Sequence, residues 1–121
     1  MKYIKIVEKT VDIVGLSRYM KTPIGQLSDG ERQKIMTAKA LAQETPIILL
    51  DEPTSFLDFQ SKVEMMKLLR DLAHDMEKTI VLSTHDLMLA EKMGDKLWWM
   101  ENTLQPISKD RLAKLPFSQQ A

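Results

Sequence analysis

Ile47-Ile48-Leu49-Leu50-Asp51-Glu52-Pro53-Thr54-Ser55-Phe56-Leu57-Asp58 is the stretch from which the rest of the chain is read. Its first four residues are wholly apolar and half β-branched, the composition of a central strand covered on both faces. Two carboxylates follow at the strand's end, and Pro53 stops the strand from continuing. A polar loop to Asp58 leads into a helix expected from about Gln60 to Met76. The apolar stripe of that helix is Val63, Met66, Leu69, Ala73 and Met76, beside a second row of Met65, Leu68 and Leu72.

Downstream, Thr79 to Ser83 reads as another apolar strand, followed by Thr84-His85-Asp86. Asp86 is placed to cap a helix through Met93, Lys96 to Met100 reads as a third strand, and Ser108 to Lys114 as a short helix before a polar tail. Upstream, Ile4, Val7, Val11, Val14 and Leu16 recur at roughly helical spacing between Ile4 and Met20, with Gly15 near the expected helix end. Thr22, Pro23 and Gly25 mark a loop. Ser28-Asp29-Gly30-Glu31 then has the form of a capping box, opening a helix to about Gln43 that buries Ile35, Ala38 and Leu41 or Ala42.

Strands alternating with helices predict an α/β fold with a parallel sheet and right-handed crossovers. Ligands of such sheets sit beyond the carboxyl ends of the strands. Two strands here end in polar clusters, Asp51-Glu52 and His85-Asp86, which should project from one edge.

Each cluster has a chemical and a structural reading. Asp51 at a strand tip can hold Mg²⁺ through a coordinated water, and Glu52 can orient or deprotonate an attacking water. The pair is equally readable as a solvated acidic loop capping the next helix. Ser28, Asp29 and Gly30 offer a hydroxyl, amides and a helix N-terminus to a phosphate, or simply an ordinary cap. His85 can donate to a phosphate oxygen or to water, or cap the helix after it. His74, on the polar side of its helix, reads as solvated, the methionines as core filler, and Trp98 and Trp99 as facing opposite sides of a strand.

Bulk properties narrow the classes. Lysine plus arginine number 17 and aspartate plus glutamate 17 in 121 residues, a formal net charge of zero. A nucleic-acid partner, which a basic excess would announce, is not expected. No cysteine is present, which excludes disulfides, thiolate metal sites and cysteine nucleophiles. Apolar runs are short against the about 20 residues of a membrane span, and the start lacks the pattern of a signal peptide.

Taken in order, the motifs resemble those of the ATP-binding-cassette (ABC) ATPases. Leu27-Ser28-Asp29-Gly30-Glu31-Arg32-Gln33 is similar to the family signature, Leu-Ser-Gly-Gly-Gln followed by Arg-Gln. Ile48 to Thr54 resembles the Walker B strand with its catalytic glutamate, Ser55-Phe56-Leu57-Asp58 the D-loop, and Ser83 to Asp86 the switch-histidine loop. The resemblance implies part of a P-loop NTPase fold, with residues 1–43 as the end of the helical subdomain plus signature helix and 44–121 as the C-terminal part of the RecA-like core. It implies Glu52 and His85 as catalytic residues and Asp51 as the Mg²⁺ position. Ser28, Asp29, Gly30 and Glu31 would contact ATP held by the opposite subunit of a head-to-tail dimer, with Ser55 and Asp58 at the interface.

Two features depart from the family. Asp29 and Glu31 replace glycine and glutamine, adding two negative charges where a triphosphate docks. At about 6 Å and an effective dielectric near 20, each unit-charge pair costs roughly 3 kcal/mol. No Gly-x-x-x-x-Gly-Lys-[Ser/Thr] occurs, the only glycines being Gly15, Gly25, Gly30 and Gly94. The chain alone is therefore expected to bind ATP poorly, as a truncated form whose exposed sheet invites self-association. The functional expectation is part of a transporter ATPase subunit, with membrane-spanning permease partners, on the cytoplasmic face of the cell membrane, importing a metal chelate. The alternatives are a soluble, non-transport ABC ATPase, or a catalytically silent dimerisation or docking module.

Overall fold

The computed structural model describes residues 2–115, and the polar tail expected at the end lies largely outside them. By packing, the described residues form two compact units, one ending at Ser83 and the other starting at Thr84.

The first unit begins with α1, Lys2–Ile13. Its end is a Schellman motif. Gly15 takes a left-handed φ of 77°, its amide donates to Asp12 O at 2.9 Å, and the Leu16 amide donates to Val11 O at 3.0 Å. Glycine reaches that conformation without the cost of a Cβ, so the helix ends just before Gly15, as the sequence leads one to expect. Two single 3₁₀ turns, Ser17–Tyr19 and Ile24–Gln26, carry the chain to α2, Asp29–Ala42. Then come β1, Ile47–Asp51, α3, Phe59–Asp75, and β2, Thr79–Ser83.

The strands β1 and β2 pair in parallel with Ile47 opposite Thr79 and Asp51 opposite Ser83, so the two strands end side by side. Leu41, Ile48 and Leu72 form one buried cluster, and Val11, Val14, Leu16 and Ala38 another, with Leu68 packed against both. Of the expected stripe on α3, Met66 and Leu69 are buried, with Met65 and Leu72 from the neighbouring row. Met76 is exposed. The buried face is centred between the two rows.

Burial of β1 on both faces is not observed. Ile48 is 3% exposed, whereas Leu49 is 73% and Ile47 58% exposed, with Val81 of β2 at 55%. The reason is the pleat. Alternate side chains point to opposite faces, and β1 packs with α2 and β2 with α3 through the face that carries Ile48, leaving Ile47, Leu49 and Val81 bare. Apolar sheet surface of this kind favours association.

The second unit holds α4, Leu87–Met93, β3, Leu97–Met100, β4, Leu104–Ile107, and α5, Lys109–Ala113. The expected third strand is present. It pairs not in parallel but antiparallel with β4, Trp98 opposite Pro106 and Trp99 opposite Gln105. The strand β4 was not expected from the sequence, and it contains Pro106, which removes a backbone donor. A hairpin with an outer edge tolerates it. Trp98 is exposed and Trp99 half-buried, as opposite faces require. Leu89 and Leu112, from α4 and α5, are the buried apolar residues of this unit.

Candidate functional site

The N-terminus of α2 is a complete capping box. Ser28 Oγ accepts from the Glu31 amide at 3.1 Å, and the Ser28 amide donates to Glu31 Oε1 at 2.9 Å. The Ser28 backbone N–H is the main cause holding the Glu31 carboxyl below the ordinary glutamate range, helped by the Ser28 and Tyr19 hydroxyls and the charge of Arg18. Arg18 itself lies over the Tyr19 ring, 5.0 Å from its centroid. The Asp29 carboxylate accepts from Arg32 Nη2 at 2.6 Å. The signature-like turn is thus both a structural cap and a place where each carboxylate is occupied.

At the end of β1, Asp51 Oδ1 accepts from Ser83 Oγ at 2.5 Å. This contact follows from register, since Asp51 and Ser83 are partners across the parallel pair. Ser83 also receives the Glu52 amide, on its carbonyl and on its hydroxyl, both at 3.1 Å. Glu52 has a left-handed φ of 48°, which for a residue other than glycine persists only where its surroundings over-determine it. They do so here. Beyond the Ser83 bonds, the Glu52 carbonyl accepts from the Ser55 amide at 3.0 Å and from Gln33 Nε2 at 3.0 Å. Pro53 and Thr54 are buried beneath the loop.

The Gln33 bond ties α2 to the Asp51-Glu52 corner, and a second contact does the same for the following loop. A Cβ added at Gly30 would stand 3.1 Å from Leu57 Cδ2 and 3.4 Å from Phe56 O. Glycine fits this close approach to residues 56 and 57 without displacing the Leu57 side chain. The loop ends at Asp58, whose Oδ1 caps α3 by accepting from the Ser61 amide at 2.8 Å. That bond, then the Ser61 hydroxyl and the Lys34 charge, hold the Asp58 carboxyl below the ordinary aspartate range.

The structure therefore brings Ser28, Asp29, Gly30 and Glu31 into one turn, Asp51 and Glu52 into one corner, and links both to the Ser55–Asp58 loop. His85 belongs to the second unit. It sits in an exposed turn fixed by the Asp86 amide donating to Thr84 Oγ at 2.9 Å and the Leu89 amide donating to Asp86 Oδ1 at 3.1 Å. Asp86, not His85, is the cap of α4. Ser83 and Gln33 were not singled out by sequence reasoning. Their roles depend on pairings 31 to 32 and 19 residues apart, for which no local pattern exists.

Among the described residues no three histidine, aspartate or glutamate side chains converge on a common point. The carboxylates at the β1 tip are those of Asp51, exposed, and of Glu52 directly after it. One carboxylate with waters and nucleotide phosphates is the usual environment of Mg²⁺, so the residues present fit a shared ion rather than an all-protein cage.

The ABC transporter family model matches residues 3–55. An uncharacterised ABC transporter ATP-binding protein of Methanocaldococcus jannaschii is 44% identical over 98 residues, covering 81% of this chain and 34% of the relative. The cobalamin import ATP-binding protein of Halobacterium salinarum is 37% identical over 92 residues, covering 76% of this chain and 23% of its own. A solved transporter assigned to the metal-chelate type, in an inward-facing conformation, superposes with a TM-score of 0.79 at 31% identity, over 88% of this chain and 43% of that one. A dimeric ATP-binding cassette in a post-hydrolysis state with ADP and phosphate gives 0.76 at 31% identity, over 84% and 46%. The chain spans about a third or less of these relatives' length and under half of the solved cassettes. No helix among the described residues is long and apolar enough to cross a membrane.

Proposed function

The chain is a homologue of ABC transporter ATP-binding proteins, and from that premise we propose that it supplies the signature and hydrolysis segments of an ATPase cassette. The phosphate-binding loop of that cassette is not among residues 1–121. Residues 1–43 contribute the end of the helical subdomain with the signature helix, and 44–121 the C-terminal part of the ATPase core.

The observation that carries the reading is the linkage of three motifs within one unit. Gln33 joins the signature helix to Glu52, and Gly30 lies against the loop that ends at Asp58. In the proposed reaction Glu52 takes a proton from water as its oxygen attacks the γ-phosphorus, and ADP leaves. Mg²⁺, when bound, neutralises phosphate charge, and Asp51 is the residue that would order its waters. His85 donates to the γ-phosphate. Ser28 and Gly30, flanked by Asp29 and Glu31, face the γ-phosphate of ATP held by a second cassette, with Ser55 and Asp58 at the interface between the two.

The dimeric solved cassette with ADP and phosphate supports pairing with a second cassette, and the head-to-tail geometry is part of the proposal. The cobalamin import relative and the metal-chelate transporter support import of a metal chelate; membrane-spanning subunits, with the cassette peripheral on the inner face of the membrane, complete the proposal. The test is sedimentation of the complete cassette carrying Glu52→Gln. Saturating Mg-ATP should convert it from monomer to dimer, and a cassette that remains monomeric would remove the in-trans role of Ser28 and Gly30.

A further inference from the structure

The first turn of α2 carries two carboxylates, Asp29 and Glu31, where the proposed reading places a triphosphate. A helix N-terminus favours acidic side chains, yet fixed negative charge there repels an anion. The relief that the structure shows lies in the side chains.

Each carboxylate has a cationic neighbour of its own. Asp29 Oδ1 accepts from Arg32 Nη2 at 2.6 Å. Glu31 Oε1 accepts from the Ser28 amide at 2.9 Å, with Tyr19 and Arg18 acting on the same carboxylate. The four charges Asp29, Glu31, Arg18 and Arg32 sum to zero, and without the two arginines the turn carries two negative charges. As a stability element the Asp29–Arg32 pair counts for little, being an exposed i,i+3 bridge with side chains 61% and 44% accessible. Its effect is electrostatic.

We propose that Arg32 is a positioning residue of the nucleotide site: by binding and neutralising Asp29 it lets an acidic signature turn accept a triphosphate. The proposal rests on the reading of Ser28–Glu31 as a signature, and it assigns Arg32 a role through Asp29 rather than through its own contact with phosphate.

Steady-state ATP hydrolysis by the complete cassette tests it. Arg32→Gln should raise KM for Mg-ATP by about fivefold at low ionic strength, less as salt screens the charge, with kcat within about twofold. Arg32→Lys, which keeps the charge, should retain most of the parent KM. Adding Asp29→Gly to Arg32→Gln should return KM towards that of Asp29→Gly alone. An unchanged KM in Arg32→Gln at low salt overturns the proposal. So does a rise that persists undiminished in the double variant, since Arg32 would then act on the nucleotide or the fold directly. Failure of the signature reading itself is seen separately, as absence of Mg-ATP-dependent dimerisation in Glu52→Gln with Arg32 intact.

Discussion

Glu52→Gln in the complete cassette should lower kcat for ATP hydrolysis by about 10³-fold while Mg-ATP binding persists. General-base catalysis contributes about 10² to 10⁴ in rate, and the amide cannot accept a proton at neutral pH. The substitution is nearly isosteric. Glu52 is held in its left-handed conformation through its own amide and carbonyl, by Ser83, Ser55 and Gln33. The variant therefore changes chemistry with little change of placement. Phosphate release under saturating ATP reads the rate, and equilibrium dialysis with labelled nucleotide reads the binding. Hydrolysis at the parent rate would move the base away from Glu52.

His85→Ala should lower kcat by about 10²-fold, with KM little changed, because a donor aimed at developing phosphate charge acts mainly in the transition state. The turn that presents His85 does not depend on the imidazole for its two capping bonds. Those run from the Asp86 amide to Thr84 Oγ and from the Leu89 amide to Asp86 Oδ1. A melting curve equal to the parent's, with the rate lost, assigns the effect to the imidazole. An unchanged rate would leave His85 as a surface residue of the turn before α4.

Legibility of the chain followed the range of the interactions. The capping box at Ser28 and Glu31 and the cap at Asp86 were readable because each is closed within three residues. Helices were likewise readable from periodicity, and the end of α1 from Gly15, whose left-handed φ closes the Schellman motif. Long-range features were hidden. Nothing local to Ser83 says that its hydroxyl meets Asp51, or to Gln33 that its amide meets Glu52. The parallel register and the α2 packing decide both.

The bare face of β1 shows a different limit. Ile47 to Leu50 has the composition of a strand buried on two sides, and composition records what a strand can bury rather than what covers it. Within the described residues α2 and α3 meet the Ile48 side, while Leu49 stands 73% exposed. The strand β4 carries Pro106, whose cost in a ladder is real in a central strand and small in a hairpin edge.

The charge pattern of the signature turn joins these levels. The proposed signature reading sets Asp29 and Glu31 where a triphosphate would dock, with Arg32 next to Glu31 in sequence. The structure supplies the pairing, and with it a reason for the arginine. In the proposed function, nucleotide binding depends on a phosphate-binding loop that residues 1–121 do not contain.

Titration calorimetry of Mg-ATP into the 121-residue chain, first alone and then with the phosphate-binding half of the cassette added, tests that claim most directly. The account predicts no saturable heat for the chain alone and one nucleotide site per reconstituted pair. Saturable one-to-one binding to the chain alone would contradict it.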